Sequence, residues 1–351
     1  MDADLTDALA KQVRAAAAGR RALRIIGGDT KSWYGRPVVG EALELAGHRG
    51  VVDYEPSELV ITARAGTPIL DIETQLARHG QMLAFEPPVF SVASTLGGVV
   101  ATGLSGPRRP FAGAVRDSVL GVTVLDGRGR KLRMGGTVFK NVAGFDAFRL
   151  MAGAMGCLGV LLDVSLRVSP RPRAETSLAL ELDWSEARAR AAEVMRQPLP
   201  LSGACHDGER LHLRLSGPEA AVADAKARLG GEETSAGFWD SLRLMTHPGL
   251  AGEGALWRVS VPQMAELPAL EGHWLCDWGG AQRWLRSTAP AGEVRAAAAA
   301  AGGHATLFRS ESPATDVFAR LPPALLALHK RLKAALDPEG VLNPGRMYAE
   351  L

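Results

Sequence analysis

The feature that most constrains this chain is the series of glycine-rich segments that punctuates its first 170 residues, each lying beside an apolar run. Leu23 to Ile26 is short and β-rich and stops at Gly27-Gly28-Asp29-Thr30-Lys31, so a strand has to turn tightly there. Ser94-Thr95-Leu96-Gly97-Gly98-Val99-Val100-Ala101-Thr102-Gly103 reads as a short capped helix whose glycines permit close backbone approach. Gly113 to Gly121 and Gly156-Cys157-Leu158-Gly159-Val160 complete the series.

The stretches between alternate in period. Asp4 to Arg20 predicts an opening helix capped by Thr6. Leu59 to Ala65 predicts a strand, and Pro68 opens a helix to His79 with Ile69, Ile72 and Leu76 on one face. Val119 to Leu125 and Lys131 to Met134 predict a hairpin across Gly127-Arg128-Gly129, and Leu158 to Val168 a further strand. Pro170-Arg171-Pro172 is the clearest domain boundary. Beyond it, Ser177 to Leu182, Arg210 to Leu215, Trp257 to Val261 and Trp274 to Trp278 predict strands, while Glu186 to Met195 and Glu219 to Leu229 predict helices. That mixture belongs to an α+β domain, with no internal repeat visible. A last helix, Leu325 to Leu336, leads to Asn343-Pro344-Gly345.

With 351 residues, 46% of them hydrophobic, the chain can bury two cores without staples. A formal charge of +2 with no basic block argues against a nucleic-acid partner. Cys157, Cys205 and Cys276 are too far apart for a CxxC pair, a disulfide framework or an iron–sulfur ligand set, and predict reduced thiols in a cytoplasmic protein. The first twenty residues hold no apolar run of membrane-spanning or signal length, so membrane contact is expected only through a partner.

Glycines at a strand end let backbone N–H groups converge on an anion, because no Cβ blocks the approach. Gly27 to Lys31 can therefore hold a pyrophosphate, although a Gly-Gly turn taken alone is a weak signal and more often a plain connection. It is neither a Walker loop nor a GxGxxG turn.

The ordered segments together carry more. With them in place, residues 22–170 resemble the FAD-binding domain of the vanillyl-alcohol-oxidase, or PCMH, type. Lys140-Asn141-Val142-Ala143-Gly144-Phe145-Asp146 with Arg149-Leu150, and Ser105-Gly106-Pro107-Arg108-Arg109-Pro110, are similar to the subunit-E family of glycolate oxidases. Asn343-Pro344-Gly345 is similar to the tail of FAD-linked 2-hydroxy-acid dehydrogenases.

The resemblance implies an α+β architecture. A two-subdomain PCMH-type FAD-binding domain spans 1–170, a smaller α+β domain spans 171–320, and a helix and tail over 321–351 return to the first domain. It implies that Gly27, Gly28, Thr30 and Lys31, with Ser94, Thr95, Gly97 and Gly98, meet the pyrophosphate of FAD. Thr102 and Ser105 would lie near the flavin ring or ribityl chain, and Gly159 and Val160 toward the adenine, with Asp29 and Asp117 also in the cofactor set. Asp29 stands where the family often has glycine, so its carboxylate has to point outward or the residue has to adopt the left-handed turn that Asp tolerates. Covalent attachment in relatives uses a histidine or cysteine near the ring. No histidine lies between His79 and His206, and Cys157 reads as a small buried residue, so non-covalent FAD is expected.

Oxidation of a 2-hydroxy acid needs a base for the hydroxyl proton and a cation for the carboxylate. His206 and His212 are six apart, which suits neither a helix face nor a strand face, so no metal site and no catalytic residue is assigned. Arg108, Arg109 and Arg116 read either as anion ligands or as a solvated basic edge or subunit contact, and Lys140 and Arg149 either as flavin contacts or as salt-bridge partners. Trp239, Trp257, Trp274, Trp278 and Trp284 read as core of the second domain, with an interface as the alternative. The family implies a second FAD-containing subunit and an iron–sulfur subunit as partners in oxidising a small 2-hydroxy acid such as glycolate, with any inner-membrane contact peripheral. The alternatives are a self-sufficient flavoenzyme and a flavin-free structural subunit.

Overall fold

The computed structural model describes residues 3–137, 146–310 and 316–351. Most of the Lys140-to-Asp146 motif lies outside the described residues. The chain forms two compact units, one of Met1–Leu104, Gly113–Pro170 and Arg320–Leu351, the other of Ser105–Ala112 and Arg171–Ala319.

The first unit opens with the helix Thr6–Gly19, which buries Leu9, Ala10, Val13 and Ala16. Thr6 is its first helical residue rather than its cap: the Asp4 carboxylate accepts the Thr6 N–H at 2.9 Å, a charged acceptor one step earlier taking the role. The strand Leu23–Ile26 pairs in parallel with Glu41–Glu44. On its other side Leu23 N–H donates to Val341 O at 2.7 Å and Asn343 N–H donates to Leu23 O at 3.0 Å, so the chain's end is laid beside the strand that feeds the glycine turn.

A five-stranded antiparallel sheet runs in the order Val51–Glu55, Val60–Arg64, Val160–Arg167, Val119–Leu125, Lys131–Gly135. Its central strand buries Val160, Leu161, Leu162, Val164 and Leu166, as a strand covered on both faces must. Helix Ile69–Ala77 adds Ile69, Ile72 and Leu76 to the same core, with Pro68 just before it as N-cap. Asp126 fixes the hairpin, accepting from the amides of Arg128 and Arg130 at 2.9 Å each, while Gly129 takes φ +67°.

The second unit is one eight-stranded antiparallel sheet. The strands Ala174–Glu181, Leu201–His206, Arg210–Gly217 and Glu232–Thr234 lie in spatial order 4-1-3-2, and Ala255–Ser260, His273–Asp277, Gln282–Ser287 and His304–Arg309 repeat that order. The two copies join through their second strands, with His206 opposite Cys276. The repeat that the sequence conceals is therefore topological. Helices Trp184–Val194 and Glu219–Leu229 cover the first copy, where Leu178, Ala204 and Leu213 meet Ala187, Ala191 and Ala225. Ala291–Ala300 covers the second, over Trp257, Val259 and Leu285.

The first boundary drawn from sequence needs correction at one place. Ser105–Ala112 belongs to the second unit, where Arg108 donates to Glu175 at 2.7 Å and to Ser216 at 3.2 Å, and Gly106 O accepts from Trp278 Nε1 at 3.1 Å. Among the described residues no helix is long and apolar enough to cross a membrane.

Candidate cofactor site

A cleft in the first unit is lined by Ile25 to Ser32, by Thr95, Gly97, Gly98 and Thr102 of the short helix, by Met155, Gly156 and Gly159, and by Asn343 and Arg346 of the tail. The glycines are there because the backbone comes too close for a side chain. A Cβ on Gly27 would stand 2.5 Å from Thr95 Oγ1, one on Gly28 would fall on the Ala93 carbonyl, and one on Gly97 would stand 2.8 Å from Ala65 Cβ. Thr95 caps the helix Leu96–Thr102 by accepting the Gly98 N–H at 3.2 Å. The amides of Leu96 and Gly97 bond Thr67 O and Ala65 O, so this helix contributes close approach rather than free donors.

The free donors lie in the turn. Among the described residues the amides of Gly28, Thr30 and Lys31 donate to no acceptor. Lys31 is only 8% exposed, and its Nζ has Thr30 Oγ1 at 3.4 Å and the Phe90 ring centre at 5.6 Å, with no carboxylate paired to it among the described residues. Burial pulls its ammonium down to about 8. A desolvated cation beside a row of unpaired amides fits a multiply charged anion, which is what the pyrophosphate of a dinucleotide presents.

Asp29 takes φ +51°, keeps a half-exposed carboxylate and lies 3.9 Å from Arg24, so at the edge of the cleft its charge stays open to water. Ser94 is fully buried and outside the lining, where its Oγ meets Thr30 Oγ1 at 3.2 Å and accepts the Phe90 amide at 3.2 Å, bracing the turn from beneath.

Three further expected positions are not in the cleft. Val160 starts the central strand and is wholly buried in the core. Asp117 accepts the Ala114 amide at 2.9 Å and pairs with Arg149 at 3.5 Å, serving its own turn. Ser105 falls in the second unit. Arg149, also bound to Asp146 at 3.1 Å, is a salt-bridge residue.

The tail supplies what the first half of the sequence does not announce. Asn343 accepts the Ile25 N–H at 2.8 Å through Oδ1 and donates to Met155 O at 2.7 Å through Nδ2. Lys333 lies beneath, its ammonium donating to Leu342 O at 2.6 Å, Asp337 Oδ2 at 2.7 Å and Cys157 O at 2.8 Å. Arg346 donates to the carbonyls of Lys31, Ser32, Tyr34 and Arg36 at 2.8–3.1 Å. The Asn343-Pro344-Gly345 motif was the available signal for these contacts.

Comparison with known proteins gives the family. Residues 3–135 match the FAD binding domain family, and residues 317–347 match the C-terminal domain of FAD linked oxidases. Across 350 residues, 100% of this chain and 99% of the relative, the sequence is 49% identical to glycolate oxidase subunit GlcE of Escherichia coli (strain K12). This chain belongs to the GlcE family of glycolate oxidase subunits. FAD is its cofactor, and it is an FAD-linked oxidoreductase. A D-lactate dehydrogenase of Archaeoglobus fulgidus is 30% identical over 43% of this chain but only 34% of its own length, so that relative is much the longer protein. A solved alkyldihydroxyacetonephosphate synthase shares the fold at a TM-score of 0.67 and 15% identity, over 96% of this chain and 75% of that one.

In the second unit of this GlcE-family chain, the residues considered for catalysis are occupied in structure. His206 Nε2 lies 3.0 Å from Leu182 O, and His212 Nε2 lies 2.8 Å from Asp207, whose carboxyl burial raises but whose His212 and amide contacts lower further. Among the described residues no three His, Cys, Asp or Glu side chains form a group able to hold a metal. Arg108 is buried against Glu175, and Arg109 stacks 4.3 Å from the Trp278 ring. Trp239, Trp257 and Trp284 are core, whereas Trp274 and Trp278 are half-buried.

Proposed function

We propose that this chain holds FAD non-covalently, with the pyrophosphate at Gly27 to Lys31, and serves as a flavin subunit of a complex that oxidises a small 2-hydroxy acid, glycolate, to the 2-keto acid. Lys31 carries the reading. A lysine buried without a carboxylate is costly unless an anion arrives, and the neighbouring unpaired amides point to the same ligand. Gly27, Gly28, Gly97 and Gly98 let the chain close on the phosphates, Thr102 and Gly159 line the remainder, and Asn343 and Arg346 close the cleft from the tail. FAD, when bound, supplies the hydride acceptor. Cys157, 1% exposed and with its thiol pushed up by burial, is shielded from attachment to a flavin.

Among the described residues no histidine lines the cleft, and in the proposed division of labour the base for the hydroxyl proton comes from outside this unit. The partners would be a second FAD-containing subunit and an iron–sulfur subunit, with the assembly cytoplasmic and touching the inner membrane only through those partners. The test is to add glycolate to the purified chain, alone and mixed with its co-purified subunits, and follow the flavin absorbance. Bleaching only in the mixture supports the subunit reading; bleaching of the isolated chain would make it a self-sufficient enzyme.

A further inference from the structure

The loop Lys31 to Arg36 has no regular secondary structure to hold it, yet it carries Lys31 and Ser32, which line the cleft where the turn ends. A peptide's N–H and C=O point in opposite directions, so holding the carbonyls of Lys31 and Ser32 from one side fixes the peptide planes on which the turn ends, and with them the place of Lys31. Arg346 does this from the tail. Its Nη2 donates to Lys31 O at 3.1 Å, Ser32 O at 3.0 Å and Tyr34 O at 2.8 Å, and its Nη1 donates to Arg36 O at 2.9 Å. A planar guanidinium matches four converging carbonyls in a way a single ammonium does not. The return bond from Arg36 N–H to Arg346 O at 2.8 Å locks the register, and Asn343 and Lys333 hold the tail itself in place.

We propose that Arg346 is a positioning residue for the cofactor, setting the peptide planes of the 31–36 loop so that the phosphate-facing side of the turn is formed before the ligand arrives. This rests on the reading of the turn as the pyrophosphate site. Its consequence is that the cleft is assembled from both ends of the chain, and that docking of the tail and affinity for pyrophosphate are linked.

The experiment uses full-length apoprotein titrated with FAD and, separately, with ADP, which carries the pyrophosphate without the flavin. Arg346→Gln is expected to weaken both by about tenfold or more, the scale of losing charge-assisted hydrogen bonds. Arg346→Lys, which keeps the charge but not the fork, is expected to recover part of the loss. Glu339→Gln, at an exposed pair with Arg20, should change neither affinity. Leu76→Ala, which opens the core away from the cleft, controls for general loosening: it should lower the melting temperature while leaving ADP affinity in place. Wild-type affinity in Arg346→Gln, or equal losses in Arg346→Gln and Leu76→Ala, would overturn the positioning role while leaving the site itself standing. Failure of the wild type to bind either ligand would overturn the pyrophosphate reading and this inference with it.

Discussion

Among the described residues two lysines are buried in the first unit, and they are used in opposite ways. Lys333, 7% exposed, has all three of its donors satisfied by Cys157 O, Asp337 and Leu342 O. Lys31, 8% exposed, has one hydroxyl at 3.4 Å and an aromatic ring. A buried ammonium with three acceptors is a fastener; one with almost none carries a desolvation cost that only a ligand offsets. The buried cations of the second unit resemble Lys333. Arg283 donates to the carbonyls of Gly280, Ala265 and Glu266, and Arg108 pairs with Glu175. The satisfaction of a buried charge, rather than its burial, separates the proposed cofactor site from the framework.

That contrast can be broken by substitution. Lys333→Met leaves the Asp337 carboxylate, 1% exposed, without its cation and should cost about 3 kcal/mol of stability, read as a lower urea midpoint of the apoprotein. Gly28→Ala places a methyl on the Ala93 carbonyl, and the strain of about 2 kcal/mol should weaken FAD binding roughly thirtyfold in a fluorescence titration. Lys31→Met should behave as the reverse of Lys333→Met: apoprotein stability equal to or above wild type, with FAD affinity down about tenfold. A fall in stability matching that of Lys333→Met would erase the distinction.

A pH titration sharpens it further. With its pKa lowered to about 8 in the free protein, Lys31 is charged below that pH and neutral above it. A bound pyrophosphate favours the charged form, so FAD affinity should be greatest below pH 8 and fall as pH rises through it, and the slope should vanish in Lys31→Met. The smallest effect belongs to Asp29→Gly. The carboxylate is half exposed and the φ of +51° suits glycine, so affinity should rise only about twofold.

Much of the site was readable because its constraints are local. A strand that stops at Gly27-Gly28 and a Thr95 ahead of a glycine-bearing helix announce themselves within ten residues. Ser94, Asp117 and Val160 share those segments yet serve as brace, turn partner and core, a distinction set by which way each side chain points. The contacts of Arg346 and Asn343 join residues more than 180 positions apart, and the Asn343-Pro344-Gly345 motif marks the tail without naming its partners. In the second unit, Gln282–Ser287 and Leu201–His206 went unseen as strands because arginine, glutamine, serine and histidine occupy buried positions there, hidden from a hydrophobic alternation. The second copy of the repeat was masked further by the absence of a helix after its first strand.

The central claim is that the cleft holds FAD without a covalent bond, and acid precipitation of the purified chain tests it most directly. The prediction is that the flavin leaves entirely with the supernatant and has the absorbance and mass of intact FAD. Flavin retained in the pellet, or an apoprotein that takes up no added FAD, would contradict it.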